Sequence, residues 1–367
     1  MSDTPKQSSY LGPLLIIAVI VLTATWLSSG SSNKPKQSNW VSGWQTLNSF
    51  KLARRAPAAV AHNGYLYLVG GIDGNANYVR TVEYAPILEN GSLGTWQHTN
   101  PIIEDRFYNA VVAFNGFLYT LGGGSGMPGE QNHPIATVER APINEDGSLG
   151  PWQKIGQMLT PRRGLKTVLH NNTLYAIGGY DGRFLKSIEQ TQIYADGQLS
   201  NWQMEKHESI IDRYIHSAAT KGEFIYLLGG HMRKPEASYS DVESTRIQID
   251  TKLSPWKIEN HGLLTPRLVA EAFTLGPYLY IAGGHTGNQR LTSVEVARIN
   301  TDGSLNPWRY TTDLPLARSA FASATYQNHV YVLGGGGEGQ PLNSVHMAST
   351  NLRGELGYAL ISNKSEH

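Results

Sequence analysis

The chain has 367 residues, with 30 basic and 29 acidic side chains for a formal charge of +1, and it contains no cysteine. A balanced charge offers no basic face to neutralise phosphates, so nucleic acid is not an expected partner. The missing thiols exclude disulfides, thiolate metal ligation and cysteine nucleophiles. Apolar content of 40% with 39 glycines and 19 tyrosines describes a turn-rich β protein rather than a helical one.

Residues 1–9 read as a short tail. No charged side chain occurs between Lys6 and Lys34, and inside that gap lies YLGPLLIIAVIVLTATWL, Tyr10 to Leu27. Its length approaches the roughly 17–25 residues that a helix needs to cross the hydrocarbon core. Tyr10 and Trp26 stand near its ends, where amphipathic rings favour the headgroup layer. A cleaved signal peptide is the alternative, with SSG at Ser28 to Gly30 as the small-residue site. The apolar run is long for that, so residues 10–27 are expected to be a transmembrane signal-anchor. Residues 28–39 then form a flexible linker, and an N-in anchor leaves the rest of the chain exported, periplasmic or at the cell surface.

From there one segment recurs six times. The glycine pairs Gly70–Gly71, Gly122–Gly123, Gly178–Gly179, Gly229–Gly230, Gly283–Gly284 and Gly334–Gly335 each end an apolar strand with tyrosine three residues earlier. Sixteen residues before each pair stands an arginine: Arg54, Arg106, Arg162, Arg213, Arg267 and Arg318. A tryptophan follows about 26 residues later, at Trp96, Trp152, Trp202, Trp256 and Trp308, with Trp44 ahead of the first copy. Each copy holds four short strand signals. The first follows the arginine, the second is the LYxxGG strand, and the third begins near TVEYAPI, Thr81 to Ile87. The fourth follows an Asp-Gly turn such as DGSLGPW, Asp146 to Trp152, whose residues take the positive φ of a tight hairpin. Four-stranded antiparallel units repeated six times close into a ring, which removes exposed sheet edges.

This pattern resembles the kelch repeat, with its glycine pair, preceding aromatic and outer-strand tryptophan. The resemblance runs from Trp44 to about Leu352, and the DGSLG turn is similar to that of bacterial kelch-type proteins. It implies an all-β, six-bladed kelch-like β-propeller over residues 40–361, with 362–367 as a tail. Nothing resembles the BTB or other adaptor domains of eukaryotic kelch proteins. For ring closure, the Trp44 strand is expected to complete blade six, because it carries the tryptophan that the tail GELGYALI, Gly354 to Ile361, lacks.

A residue present in every blade serves the fold, since one ligand site breaks the symmetry. The arginines, glycine pairs, tyrosines and tryptophans are therefore structural. The arginines' expected partners are Glu83, Glu139, Glu189, Glu243 and Glu295; His346 stands at that place in blade six, so its arginine must find another acceptor. Function belongs where the copies disagree. The family resemblance implies that the post-glycine loops and the loops entering the arginines share one ligand-binding face. There the candidates are Arg55, Tyr108, Arg163, Tyr180, Arg183, Tyr214, His231, His285 and Arg290. Rings beside arginine and histidine suit a glycan or an acidic peptide. In the first strand, Lys166 and Glu271 replace the Ala or Ser of the other blades and are expected to face one another across the axis, as an ion pair or as working groups. The resulting expectation is a membrane-tethered binding module for a carbohydrate or protein, with no cofactor and no metal; His216, His231 and His285 would ligate one only by converging. The alternative is a sugar epimerase or mutarotase using Glu271, Lys166 or His216, favoured if Lys166, Glu271 and an arginine converge in a channel pocket.

Overall fold

The computed structural model describes residues 40–127, 132–232 and 238–359. The expected anchor at residues 10–27, the linker at 28–39 and the tail at 362–367 lie outside the described residues. Among those described, no helix is long and apolar enough to cross a membrane, and the secondary structure is β throughout.

The fold is a six-bladed β-propeller. Blade one shows the plan: Ala58–His62, Tyr65–Val69, Val82–Pro86 and Gln97–Thr99 pair antiparallel in chain order. The first strand is innermost and the tryptophan-bearing segment outermost. Alternation puts apolar side chains on both faces of each sheet, and the core is accordingly a set of layers between neighbouring blades. Tyr67, Val69 and Tyr84 of blade one, for example, pack with Val111, Leu118, Leu149 and Trp152 of blade two. Hydroxyl pins cross the same layers: Tyr67 donates to Gly147 O of the next blade at 2.9 Å, Tyr226 to Gly303 O at 2.7 Å and Tyr331 to Gly91 O at 2.8 Å.

The repeated arginines and glycines are one device. In blade one, Arg54 is fully buried, Nη2 lies 2.7 Å from Glu83 Oε1, and Nη1 donates to Thr81 O and Gly70 O. Glu83 also accepts the backbone N–H groups of Lys51 and Leu52. Every lone charge is thereby paired and hydrogen-bonded, which is the condition for burying an ion pair. The backbone of the same arginine serves the previous blade: Gly71 N donates to Arg106 O at 2.7 Å, and the series runs round to Gly335 N on Arg54 O at 3.0 Å. Gly70 takes φ +67°, and a Cβ there would lie 2.6 Å from Arg106 O. Only glycine permits that approach.

Blade six departs from the plan. Arg318 is fully buried but has no carboxylate; it donates to Gly334 O and Ser344 Oγ, both at 3.0 Å, and burial lowers its pKa to about 10. His346 replaces the glutamate, and Pro315 stands where the other blades supply the first of the two N–H donors. The acceptor and one of its donors are thus lost together. His346 Nδ1 instead lies 3.3 Å from Thr46 Oγ1 on the closing strand.

Ring closure differs from the expectation of a single Trp44 strand. Gln45–Leu47 pairs with Val345–Met347, as the Trp44 placement requires, but the tail strand Leu356–Ala359 pairs further along, with Gly357 opposite Ser349. Trp40–Ser42 then adds outside the tail strand. The reason is length: Val345–Thr350 has six residues and Gln45–Leu47 covers only three, so the remaining edge takes a second partner.

Arg267→Ala should destabilise the domain by about 3–5 kcal/mol, because Glu295 is left buried without its cation. Arg318→Ala strands no carboxylate and should cost less, about 1–3 kcal/mol. Urea midpoints compare the two, and equal losses would contradict the ion-pair account. Burial, then Arg318, holds the His346 pKa down at about 4 against an ordinary 6.5. The unfolded chain therefore takes up the proton first as pH falls. This contribution is full above about pH 6.5 and is lost by pH 4, amounting to about 3 kcal/mol. In His346→Gln the stability–pH curve between those values should flatten; an unaltered curve would show that His346 does not carry it.

Candidate functional site

Each blade joins its two upper loops by a small backbone bridge. The residue after the arginine pairs with the second residue beyond the first glycine: Arg55 with Ile72, Phe107 with Gly124, Arg163 with Tyr180, Tyr214 with His231, Leu268 with His285, and Ser319 with Gly336. These bridges place both loops on one face, and they hold its variable positions in fixed pairs. The side chains there grow sparse around the ring, from Arg163 and Tyr180 in blade three to Ser319 and Gly336 in blade six.

Arg163 is the centre of the face. Its guanidinium carbon lies 5.0 Å from the Tyr180 ring centroid, 5.5 Å from Tyr214 and 5.7 Å from Phe107, within cation–π range. It also donates to Asn132 Oδ1. The rings continue outward: Tyr180–Tyr214 centroids are 5.4 Å apart, Phe184–Tyr214 5.7 Å, Phe184–His231 5.5 Å and Tyr108–Tyr214 6.5 Å. Burial raises the Tyr214 pKa, with Arg163 opposing, and raises that of Tyr108 still more. Both phenols therefore stay neutral donors. Of the sequence candidates, Tyr108, Arg163, Tyr180, Tyr214 and His231 share this cluster. Arg55, Arg183, His285 and Arg290 lie outside its ring contacts; the three arginines are exposed, and Arg183 sits 3.6 Å from Asp181. His285 Nδ1 accepts from Gly287 N, and burial followed by Arg290 lowers its pKa. Among the described residues no group of three or more histidines or carboxylates could hold a metal.

Sequence reasoning passed over Tyr78, whose ring lies 4.2 Å from that of Phe107. It occupies the post-glycine loop of blade one, so that loop's aromatic was the available signal. Gly124 was also missed: a Cβ there would fall 2.4 Å from the Phe107 ring and 2.8 Å from Arg163 Cδ.

Below the face the channel mouth is lined by the residues two beyond each arginine. All six take left-handed torsions: Ala56 (φ +55°), Tyr108 (+50°), Gly164 (+65°), Ile215 (+47°), Val269 (+48°) and Ala320 (+51°). For β-branched Ile215 and Val269 this is strained. Backbone hydrogen bonds repay the strain, with Ala56 N donating to Ala320 O, Tyr108 N to Ala56 O, Gly164 N to Tyr108 O, Val269 N to Ile215 O and Ala320 N to Val269 O, at 2.6–3.0 Å. The sixth link, from Ile215 N to Gly164 O, is not made among the described residues.

Within the mouth lies a cavity of about 40 Å³, and beneath it one of about 170 Å³; Asn109, Lys166 and Glu271 border both. Lys166 Nζ is 2.6 Å from Glu271 Oε1, and Ser323 Oγ donates to the other carboxylate oxygen at 3.4 Å. His216 borders the upper cavity, is 1% exposed, and neither of its ring nitrogens has a hydrogen-bond partner. Burial, then Arg213 and Lys166, holds its pKa well below the ordinary value, so the ring is neutral. The structure thus gathers Lys166, Glu271 and His216 at the axis. No arginine lines either cavity, so the convergence that would have favoured the catalytic alternative is not found there.

Six blades, five of four strands and a closing one of six, interlocked by arginine and glycine and carrying one asymmetric loop face, define a β-propeller of the repeat class. The chain carries kelch motifs: the model of the kelch motif matches residues 53–84, 161–190 and 317–347, in blades one, three and six. Alpha-scruin of Limulus polyphemus is 25% identical over 298 residues, which is 78% of this chain and 30% of the scruin. Kelch-like protein terF of Aspergillus terreus is 24% identical over 342 residues, 88% of this chain and 71% of that protein. Kelch-like protein 38 of Mus musculus is 23% identical over 296 residues, 78% and 44% of the two chains. The chain therefore spans under a third of alpha-scruin and under half of the mouse protein. The solved structure of YjhT superposes with a TM-score of 0.67 at 15% identity, covering 86% of this chain and 99% of that one, a likeness of fold alone.

Proposed function

We propose that the protein is a membrane-tethered kelch propeller that binds a partner protein through the post-glycine face. The kelch propeller suggests a protein-binding module, and the observation that supports this face is that the ring cluster around Arg163 breaks the sixfold repeat. Clustered aromatic rings and arginine are the groups that dominate the energy of protein interfaces. Exposed Arg55, Arg183 and Arg290 surround the cluster, so the segment bound carries acidic side chains at its edges. The same rings can stack on a sugar face, which makes a glycan the second ligand class. The apolar segment Tyr10 to Leu27 supplies the tether, and the propeller lies outside the cytoplasm.

Photo-crosslinking from position 180 in the native membrane tests the face. A polypeptide captured by the wild type and lost in Arg163→Ala/Tyr214→Ala supports it. Capture that persists in that variant places the partner elsewhere, and a glycan-array signal lost in the variant moves the assignment to sugar. For the tether, full-length protein should stay in the membrane pellet after alkaline carbonate extraction, whereas release into the supernatant would exclude a spanning anchor.

A further inference from the structure

Within each blade, hairpins join strands one to two and three to four, and the antiparallel order puts them at the end opposite the post-glycine loops. There a ring from one blade covers the hairpin glycine of the next. Tyr65 lies over Gly147, Phe117 over Gly197, Phe224 over Gly303, Tyr278 over Gly354 and His329 over Gly91, the nearest ring atom 2.3–2.9 Å from where a Cβ would stand. The boundary of blades three and four is the exception. Thr173 stands in place of the ring, and Thr251, in place of the glycine, keeps the left-handed torsion at φ +66°.

A second filling side chain is missing at the same boundary. In blade two the third strand carries Arg140, whose guanidinium carbon lies 4.5 Å from the Phe117 ring centroid while Nη1 donates to Asp196 O of blade three at 2.8 Å. Blade three has Gln190 at that position, which is shorter and makes no hydrogen bond across the boundary. What remains is a cavity of about 320 Å³ between the third and fourth strands of blade three and the hairpin of blade four. Ligand sites begin at about 300 Å³.

The walls of this cavity are amides. Gln190 is 6% exposed and forms the floor, and its Oε1 has no hydrogen-bond partner. Exposed Gln192, Asn201 and Gln203 stand around it, their side-chain amides unbonded among the described residues. Each such amide both donates and accepts. Tyr194, half exposed, is the one aromatic ring in the lining. Charge rules out other occupants. A phosphate or carboxylate would meet Asp250, and Lys252 already lies 4.0 Å from the buried Glu205 carboxylate. An ammonium offers the amide hydrogens no acceptor, and a hydrocarbon leaves every amide unmet. The hydroxyls of a sugar donate and accept in turn, and its C–H face suits the tyrosine ring.

We propose that this lateral cavity binds a neutral pyranose unit, held by the amides of Gln192, Asn201 and Gln203 over the Gln190 floor and packed against Tyr194. The site lies at the opposite end of the propeller from the Arg163 cluster and does not depend on the partner reading of that face.

The test titrates the full chain, ¹⁵N-labelled, with methyl β-D-glucopyranoside, methyl β-D-galactopyranoside and methyl α-D-mannopyranoside, and with N-acetyl-glycine methylamide as a peptide-backbone control. The expected result is a saturable shift of the Gln190 and Gln203 side-chain amide signals with at least one glycoside, stronger than with the control, and unaltered in Arg163→Ala/Tyr214→Ala. Gln190→Arg, which copies the filling residue of blade two, should abolish that shift. Should that variant not fold, Tyr194→Ala at its exposed position decides, with a loss of affinity of about tenfold expected. No saturable shift with any glycoside, a control response as strong, or a glycoside affinity that the cavity variants leave unchanged overturns the site.

Discussion

The structure depends on one contact made six times, the approach of each glycine pair to the arginine of the following blade. Within a blade the guanidinium holds the first glycine's carbonyl, and between blades the second glycine's N–H holds the next arginine's carbonyl. The arginine thus works through its side chain on its own sheet and through its backbone on its neighbour. Sixteen residues is the length of chain that brings one residue to both places, which explains why that interval tolerates no insertion. The buried carboxylate on the third strand is a consequence. In blades one to five an anion meets the guanidinium sealed from water, and it in turn satisfies two N–H groups of the loop that delivers the arginine.

That belt determines where variation is allowed. The residue directly after each arginine is outside the belt, bridged only through its backbone to the post-glycine loop. Its side chain is therefore free to differ, and it differs most in blades two to four, where Phe107, Arg163 and Tyr214 build the cluster. One residue further, the left-handed torsion is fixed in all six blades, while the side chain passes from alanine to tyrosine, glycine and isoleucine. Gly164 is the glycine of that ring because the Tyr214 ring lies over it, 2.7 Å from where a Cβ would stand. The aromatic cluster and the unmade backbone link thus meet at the same residue, Gly164. The ring cluster is concentrated at blades three and four, beside the one backbone link of the ring that is not made among the described residues.

The fold was legible because its signals are repeated and covalently spaced: glycine pairs, arginines and tryptophans recur with fixed intervals that periodicity alone exposes. The partnership of Lys166 and Glu271 was legible for the opposite reason, as two charges at a position that is otherwise small. What escaped was everything set by packing between loops. Tyr78 belongs to the cluster through a contact with a residue 29 positions away, and no spacing announces it. The orphaned nitrogens of His216 are equally invisible, because a histidine three residues after an arginine reads the same whether its ring is satisfied or not. Closure was half legible. Trp44 marks the outer strand, but the need for the tail follows from strand lengths that only the pairing reveals.

Blade six shows why departure from a repeat does not by itself indicate a binding site. It loses the buried acid, gains a histidine and a proline, and carries the barest loops of the face. Those changes point into the seam where the two chain ends meet. His346 reaches Thr46 of the closing strand, and the proline removes one N–H that would have had no acceptor. Blades two to four differ in positions that point out of the belt, toward the face and the axis. An asymmetry that is absorbed by closure carries no free groups to the surface, as the pairing of His346 with the N-terminal strand illustrates. The asymmetry around Arg163 ends instead in half-buried rings, a strained Ile215 and a neutral buried imidazole whose two nitrogens have no hydrogen-bond partner. Direction, rather than difference, separates the changes taken up at the closing seam from those that face the loops and the axis.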